Sequence, residues 1–290
     1  MNQPLFTLII PCFNEENAIE TTINQLRDHL KTVSHYELIV VNDGSTDKTI
    51  DILQKLKKND DHLQIVTHER NQGYGAALKT GIRRAKAPWI VITDADGTYP
   101  NQRIPELIEL AQNADMVIGA RIAENVTYPF IRKIPKWFLS HYASWIAGCK
   151  IPDMNSGLRI FRRTIAEKFL NILPNGFSFT TTITLAMLIN HYDVRFVPVE
   201  YYARIGHSKI KPLQDTLNFV QLIIRTGIYF APLRVFMPLV IIFSLAFLGT
   251  LSYDIFVLRD ITDKTLILLM FSMNTTLFAL LADMIDKRNG

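Results

Sequence analysis

The chain has 290 residues, 48% of them hydrophobic, which allows one large folded domain plus a smaller unit and excludes a disordered or fibrous protein. Its 31 basic and 27 acidic residues leave a formal charge of +4, too mild a bias to indicate nucleic acid as a partner but compatible with an anionic membrane surface. Two distant cysteines, Cys12 and Cys149, indicate neither a disulfide framework nor a cysteine metal site, and favour a reducing compartment.

The amino-terminal region alternates short β-branched runs with amphipathic stretches. The first run has no basic residue before it, so it is a poor secretory signal and a good buried strand. The alternation predicts an α/β fold, a Rossmann-like, mostly parallel sheet with helices on both faces. The predicted strands are 6–11, 36–42, 63–67, 89–93 and 116–120, and the predicted helices are 18–31, 47–58, 75–85 and 103–111.

Polar turns follow four of these strands. In open α/β sheets ligands bind outside the carboxyl ends of the strands, so polar turns that converge on one edge predict a site there. The turns are Pro11-Cys12-Phe13-Asn14-Glu15, Asn42-Asp43-Gly44-Ser45-Thr46-Asp47, Arg70-Asn71-Gln72-Gly73-Tyr74-Gly75 and Asp94-Ala95-Asp96-Gly97.

The fourth turn places Asp94 and Asp96 two residues apart at the end of a buried strand. Such a pair can hold Mg²⁺ or Mn²⁺, one carboxylate directly and its neighbour through water or a donor hydroxyl. The metal would neutralise the charge that develops on a nucleoside diphosphate leaving group. The alternative is an Asp-rich turn without a ligand, since Asp readily caps helices and forms Asx turns.

The second and third turns are less specific. Asp43 can accept the ring protons of guanine or uracil, while Ser45 or Thr46 caps the following helix. The series Asn71, Gly73, Gly75 lacks the spacing of a dinucleotide fingerprint. Its glycines either let the backbone pass close to a nucleotide or the metal turn, or serve only as turn residues.

Cations and hydroxyls become more frequent beyond residue 120. Each cation alone is expected to be a solvated surface charge. A tight turn from Asp153 to Arg159 opens a further strand, and Arg204-Ile205-Gly206-His207-Ser208-Lys209 combines two cations with a hydroxyl, a set suited to clamping phosphate oxygens. His207 has no partner at ligand spacing and is interpreted as a loop histidine. The cations are Arg121, Arg132, Lys133, Arg159, Arg204 and Lys209.

The carboxyl-terminal part predicts membrane attachment. Residues 213–230 form an apolar helical pattern, either an interfacial amphipathic helix or an ordinary packed one. The runs 235–257 and 265–285 are each long enough to cross a bilayer, and they lack the polar stripe of helices that pack on a soluble core. Arg225, Arg234, Lys287 and Arg288 flank the outer ends of the hairpin, so the positive-inside rule predicts that both termini and the large domain are cytoplasmic.

The motifs PCFNEE, VNDGSTD, RNQGYGAA, TDADGTYP, IGAR, DMNSGLR and RIGHSK, in this order, resemble family 2 glycosyltransferases of the GT-A fold. The resemblance covers about residues 5–210 and is to the polyprenyl-phosphate branch that includes dolichol-phosphate mannose synthases. It implies that Pro11, Asn14, Glu15 and Asp43 contact the nucleoside and that Asp94 and Asp96 contact the metal and diphosphate. It also implies an acceptor-side loop with Asp153 and Ser156 near the sugar. Thr98 stands where these synthases often carry Gln, which leaves the third metal ligand open.

The resemblance implies metal-dependent, inverting transfer of a sugar from a GDP- or UDP-sugar to a polyprenyl phosphate. Because a phosphate acceptor is already anionic, little base catalysis is needed. Asp153 is the one candidate base. The predicted nucleotide-sugar contacts are Pro11, Asn14, Glu15, Asp43, Asn71, Gly73, Asp94 and Asp96. The predicted acceptor-phosphate contacts are Arg121, Arg132, Ser156, Arg204, Ser208 and Lys209, and the predicted catalytic residues are Asp96, Asp153, Arg204 and Lys209.

The predicted organisation is a catalytic domain over 1–211, a juxtamembrane helix over 212–231 and a transmembrane hairpin over 232–290. The oligomeric state stays open, although two thin spans could pack better in a symmetric homo-oligomer. The alternatives are a glycosyltransferase with another glycan or lipid acceptor and a non-catalytic membrane scaffold that retains the fold. A processive synthase is disfavoured because no QxxRW motif occurs, and an NAD-dependent oxidoreductase because the fingerprint is missing.

Overall fold

The computed structural model describes residues 4–31, 33, 35–58, 60, 62–121, 141–202 and 212–289. Of residues 212–219, 286, 288 and 289 it describes the backbone only.

A seven-stranded mixed sheet forms the centre of the amino-terminal domain. The strand order is β3-β2-β1-β4-β6-β5-β7, and only β6 runs antiparallel to its neighbours β4 and β5. The predicted, mostly parallel sheet is therefore confirmed. The strands are β1 (Phe6–Cys12), β2 (Tyr36–Asn42), β3 (Leu63–Thr67), β4 (Trp89–Ile92), β5 (Met116–Arg121), β6 (Arg159–Arg162) and β7 (Val194–Val199).

Helices cover both faces of the sheet, as the alternating pattern predicts, and α7 and β7 are additions that the pattern did not indicate. The 3₁₀ turn Asn101–Arg103 leads into α4. The helices are α1 (Ile19–Leu30), α2 (Thr49–Lys57), α3 (Tyr74–Arg84), α4 (Ile104–Ala111), α5 (141–147 among the described residues), α6 (Arg163–Phe169), α7 (Phe179–Ile189), α8 (Pro212–Phe230), α9 (Pro232–Tyr253) and α10 (Asp263–Asn289).

The sheet is buried on both faces because successive strand residues point in opposite directions. Leu8 and Ile10 of β1 join the core under α1, α2 and α4, whereas Ile9 between them joins the core under α3, α6 and α7. Strands buried in this way carry continuous apolar runs, so the polar residues come only where the strands end.

A third apolar cluster connects the domain to the carboxyl-terminal helices. Ile146 of α5, Leu185 of α7 and Ile223 of α8 are buried together, and Val235 of α9 packs against them. Gly227 allows this approach, since a Cβ there would lie 2.8 Å from side-chain atoms of both Ile146 and Val235. The start of α9 is therefore packed directly against the catalytic domain.

The last two helices form an antiparallel hairpin long and apolar enough to cross a membrane. The candidate spans are Pro232–Leu258 and Asp263–Ile285, close to the predicted limits. In the most apolar 18-residue stretch of each helix, no residue of the first and 11% of the residues of the second are buried. The core helix of a soluble protein would be mostly buried. The Ser244 and Ser272 hydroxyls bond at 2.7 Å and the rings of Phe243 and Phe271 stack, so the two helices contact one another directly.

Candidate active site

The turns after β1 and β2 are hydrogen-bonded to each other at the carboxyl edge of the sheet. Pro11 is buried in β1 opposite Val41, and Asn14 turns the chain with a φ of 53°. The Asn14 amide donates to Ser45 Oγ at 2.9 Å, and the Glu15 amide donates to Thr49 Oγ1 at 3.0 Å. The structure thus brings the predicted nucleoside contacts Pro11, Asn14 and Glu15 together, and holds the backbone of Asn14 and Glu15 through hydroxyls of the second turn and of the first residue of α2.

Asp43 binds the third turn. Its carboxylate is 3% exposed and accepts hydrogen bonds from the amides of Gln72 at 2.9 Å and Gly73 at 2.8 Å. His68 Nδ1 lies 2.6 Å from the same carboxylate, and His68 Nε2 lies 2.9 Å from Thr80 Oγ1. Asp43 therefore organises the edge of the site, while recognition of a base by Asp43 stays a prediction. His68 is a functional candidate that only the structure reveals, because a single histidine after a strand belongs to no recognisable sequence motif.

The glycines of the third turn face another part of the chain. Gly73 has a φ of +104°, and a Cβ there would lie 2.5 Å from the carbonyl oxygen of Asn175. A Cβ on Gly75 would come closer still to the carbonyl of Pro174. Of the two predicted roles, the structure supports close backbone approach, but to residues 174–176. Asn71 is exposed at the same turn.

The acidic turn after β4 is held by hydroxyl groups. Asp96 is 7% exposed, and its Oδ1 accepts hydrogen bonds from Thr98 Oγ1 at 2.7 Å and the Thr98 amide at 3.2 Å. Tyr74 Oη donates to Asp94 Oδ1 at 3.0 Å. Burial raises the pKa of Tyr74 well above its usual value, and the charge of Asp94 raises it further, so the phenol stays protonated as a donor. Thr98 thus orients Asp96.

This donor set fits a hard divalent cation. No group of three or more His, Cys, Asp or Glu side chains within the described ranges could hold a metal alone. Mg²⁺ is commonly bound by one or two carboxylates together with substrate phosphates and water. Asp94 and Asp96 are two carboxylates of this kind, on a turn fixed by Thr98 and Tyr74, so they suit a metal that arrives with a diphosphate.

Arg121 and Asp153 form a bidentate ion pair beside the acidic turn. Arg121 Nε donates to Asp153 Oδ2 at 2.7 Å, Nη2 donates to Oδ1 at 2.9 Å, and the Arg121 amide donates to Oδ2 at 3.0 Å. Burial by itself would raise the pKa of Asp153, but the hydrogen bonds and charge of Arg121 outweigh it and hold that pKa below its usual value. A carboxylate so stabilised is a weak base. The geometry therefore argues against the predicted role of Asp153 as a base and favours a role in holding Arg121.

Two expectations for the turn before β6 need correction. Ser156 was predicted to contact the acceptor phosphate, yet it is fully buried and donates to the carbonyl of Gly119 at 2.5 Å. Arg159 was expected at the surface, yet it is also fully buried and donates to the carbonyls of Met154, Ser156 and Thr180 and to Thr184 Oγ1. Both side chains hold the turn in place, because a buried polar group must find a partner within the protein.

Three tyrosines connect the acidic turn to the rest of the site. Tyr99 Oη accepts a hydrogen bond from the Gly157 amide at 2.6 Å, and its ring lies edge-on to Tyr201. Arg121 sits over the Tyr201 ring, 5.3 Å from its centroid. The backbone amide of Tyr202 donates to the carbonyl of Thr98 at 2.9 Å. The chain following β7 is therefore fastened to the acidic turn. The predicted contacts Arg132, Arg204, Ser208 and Lys209, with Lys133 and His207, lie outside the described residues.

The mixed sheet with an acidic turn at its carboxyl edge is an arrangement of the GT-A fold. Residues 7–170 match the model of glycosyl transferase family 2, and residues 231–287 match that of the GtrB C-terminal hairpin. The chain belongs to glycosyl transferase family 2. Its resemblance to that family, noted from the motifs, is confirmed.

Curated relatives and solved structures extend the comparison. The chain is 29% identical over 207 residues to a dolichyl-phosphate hexose transferase of Haloferax volcanii, covering 71% of this chain and 86% of the relative. It is 27% identical to a dodecaprenyl-phosphate galacturonate synthase of Rhizobium johnstonii, covering 97% of this chain and 87% of the relative. The glucosyl-3-phosphoglycerate synthase of Mycobacterium tuberculosis, solved with Mn²⁺, UDP and phosphoglyceric acid, has a similar fold, with a TM-score of 0.58, 19% identity, and coverage of 77% of this chain and 78% of that one.

Proposed function

We propose that this glycosyltransferase moves a sugar from a GDP- or UDP-sugar to a polyprenyl phosphate, with Mg²⁺ or Mn²⁺ and with inversion at the anomeric carbon. The observation that carries the proposal is one sheet edge with a carboxylate pair, Asp94 and Asp96, beside a cation fixed in place, Arg121. The relatives whose names contain dolichyl-phosphate and dodecaprenyl-phosphate support the same acceptor class. The carboxylates suit the donor diphosphate, and Arg121 suits an anionic acceptor.

On the donor side, the turns carrying Pro11, Asn14, Glu15 and Asp43 would receive the nucleoside. The mutual hydrogen bonds of these turns reduce the reorganisation needed on binding. A divalent cation held by Asp94 and Asp96 would supply positive charge to the departing diphosphate. Thr98 keeps the Asp96 carboxylate in position for this task.

On the acceptor side, the nucleophile is a phosphate oxygen that already carries charge near neutral pH. It needs a positioned cation more than a base. The Arg121 guanidinium stacks over the Tyr201 ring, and its Nε and Nη2 donate to Asp153. These contacts hold it in place at the same edge of the sheet as the acidic turn. Arg132, Arg204, Ser208 and Lys209 remain proposed partners of the same phosphate.

The hairpin would anchor the enzyme in the bilayer, with the catalytic domain and both termini in the cytoplasm. The packing of Val235 against α5 and α8 supports delivery of a lipid phosphate close to the domain. Helix α8 is apolar on two faces: Ile223 is buried in the domain, whereas Ile224, Ile228 and Tyr229 are exposed and suit an interfacial position. The largely uncovered hairpin also suits assembly of several copies.

A transfer assay tests the proposal. The purified chain is incubated with a panel of UDP- and GDP-sugars and with undecaprenyl or dolichyl phosphate, and the glycolipid is identified by mass spectrometry. We expect a single sugar added to the lipid phosphate, with one nucleotide preferred. Binding of nucleotide without transfer to either lipid would support the scaffold alternative, and transfer to a glycan would support the other alternative.

The metal makes a separate prediction. Asp96→Asn removes a charge but keeps the shape, so transfer should fall at least about a hundredfold, since charge stabilisation by a metal is worth several kcal/mol. EDTA should do the same to the wild type. Asp28→Asn is the matched control, because Asp28 is exposed on α1 and pairs only with Lys31 among the described residues. Full activity of Asp96→Asn, or of the wild type in EDTA, would remove the metal from the mechanism.

A further inference from the structure

Gly157 lies against the first carboxylate of the acidic turn. A Cβ at Gly157 would lie 2.6 Å from Asp94 Oδ2, 2.7 Å from Oδ1 and 2.8 Å from Cγ. Real Cβ atoms essentially never approach other atoms so closely. The φ of Gly157 is not positive, so other residues could adopt its backbone conformation. Glycine is therefore needed at position 157 because Asp94 occupies the space of a side chain, and not because the backbone turns there.

The backbone around Gly157 cannot easily withdraw. The Gly157 amide donates to Tyr99 Oη at 2.6 Å, Ser156 Oγ donates to the carbonyl of Gly119, and the buried guanidinium of Arg159 holds the carbonyl of Ser156. A methyl group added here would meet a backbone fixed on both sides. The Asp94 carboxylate, at the end of a short side chain, is the group that would have to move.

Tyr74 bounds the same carboxylate from another direction. Its hydroxyl donates to Asp94 Oδ1 at 3.0 Å, and its ring stacks on that of Phe177, 5.5 Å between centroids. Groups that orient a metal ligand in this way commonly change metal affinity by about 10- to 100-fold when removed.

We infer that Gly157 and Tyr74 are positioning residues for metal binding: Gly157 leaves the space that Asp94 occupies, and Tyr74 orients its carboxylate. The inference rests on the proposed function in that a divalent cation binds Asp94 and Asp96. It assigns to the turn before β6, which was predicted to serve the acceptor, a role on the donor side. A single added methyl group should therefore damage metal binding without damaging the fold.

The experiment measures Mn²⁺ binding by electron paramagnetic resonance, with UDP and with GDP, in the full-length protein. Gly157→Ala should weaken Mn²⁺ binding about 10- to 100-fold. Its affinity for the nucleotide without metal and its unfolding temperature should stay close to those of the wild type. Raising the Mn²⁺ concentration should restore part of its transfer activity. Gly176→Ala is the matched control, because a Cβ there would meet nothing within 4 Å, and it should behave as the wild type.

Tyr74→Phe is a second test of the inference, because it removes the hydroxyl that donates to Asp94 and adds no atom. It should lower Mn²⁺ affinity about tenfold while the ring remains on Phe177. If Gly157→Ala binds Mn²⁺ as tightly as the wild type, the inference is overturned and the proposed function stands. If Gly157→Ala does not fold, wild-type Mn²⁺ affinity in Tyr74→Phe has the same consequence. Absence of Mn²⁺ binding in the wild type itself would overturn both the metal role and the inference.

Discussion

At the scale of single residues, Arg121 and Asp153 behave as one unit. Three hydrogen bonds join them, and the side chains are 28% and 11% exposed. The carboxylate fixes the guanidinium fork, and the guanidinium keeps the carboxylate ionised. This arrangement suits a cation that must be held for an incoming phosphate, and it does not suit a base that must take a proton.

A double-mutant cycle tests this reading. Arg121→Met and Asp153→Asn should each lower kcat/KM for the lipid phosphate by about 10- to 100-fold, the value of a charge-assisted contact. The double variant should be little worse than the more damaged single one, because residues in one network are not additive. Donor affinity, measured by calorimetry, should change little. Strict additivity, with a loss of about 10²- to 10⁴-fold for Asp153→Asn alone, would instead indicate an independent base.

The same pair makes a pH-dependent prediction. Although burial opposes it, the hydrogen bonds and charge of Arg121 hold the pKa of Asp153 below its usual value in the folded protein. Its stabilising contribution is therefore complete above the unfolded-state pKa and is lost as the pH falls through the lower folded-state pKa. The difference in unfolding temperature between wild type and Asp153→Asn should therefore be constant from about pH 5 to 8 and shrink below about pH 4. A difference that changes with pH near neutrality would contradict the ion pair.

At the scale of elements, the hairpin contributes little to the core of the catalytic domain. Among the described residues, Val235 is the member of the hairpin that packs against the third cluster. Its own turn is held by Asp254, whose Oδ2 accepts hydrogen bonds from the Thr262 amide and hydroxyl and from Thr265 Oγ1. That acid near the end of the first span therefore joins the two helices at their turn.

Truncation after Phe230 should separate the two halves of the activity. The truncated domain should keep its affinity for the nucleotide within a few-fold, because the turns that carry the donor site lie on the sheet. Transfer to a long-chain polyprenyl phosphate should fall strongly, whereas a short, soluble analogue should lose less. Both acceptors should be assayed with and without detergent micelles. Equal activity of the truncated and complete proteins on the long lipid would show that the hairpin does not serve the acceptor.

At the scale of the whole molecule, the packing of α9 on α5 and α8 joins the catalytic domain to one end of the hairpin. Arg234 donates to the carbonyl of Ile146, and its guanidinium lies near Gly148. The domain and the base of the hairpin would therefore lie on the same side of a membrane that the hairpin crosses. The positive-inside rule predicts that this side is the cytoplasm.

Cys149 offers a direct test, because it is exposed while Cys12 is buried. In sealed right-side-out vesicles, a membrane-impermeant maleimide should fail to label Cys149 and should label a cysteine introduced in the turn by Asp260→Cys. Inverted vesicles should show the opposite pattern, and Cys149→Ser should abolish the native signal. Labelling of Cys149 from outside would reverse the proposed topology.

The sequence by itself determined the first five strands, the carboxylate pair and the hairpin, because each depends on local patterns of hydrophobicity and on residues adjacent in the chain. The predicted strands before residue 121 and both candidate spans agree with the structure within a few residues. The acidic turn follows β4 directly, where a buried strand ends at the edge of the sheet at which ligands bind.

Only the tertiary structure decided which polar residues meet. Ser156 and Arg159 look like surface groups in the sequence, but strand β6 inserts between β4 and β5 and carries them into the interior. The pairing of Arg121 with Asp153, of Asp43 with His68, and of Gly157 with Asp94 each joins segments distant in the chain. Hydrophobic periodicity reports the face on which a residue lies and not the partner it meets, so these contacts follow from the order of the strands and the close packing of the turns between them.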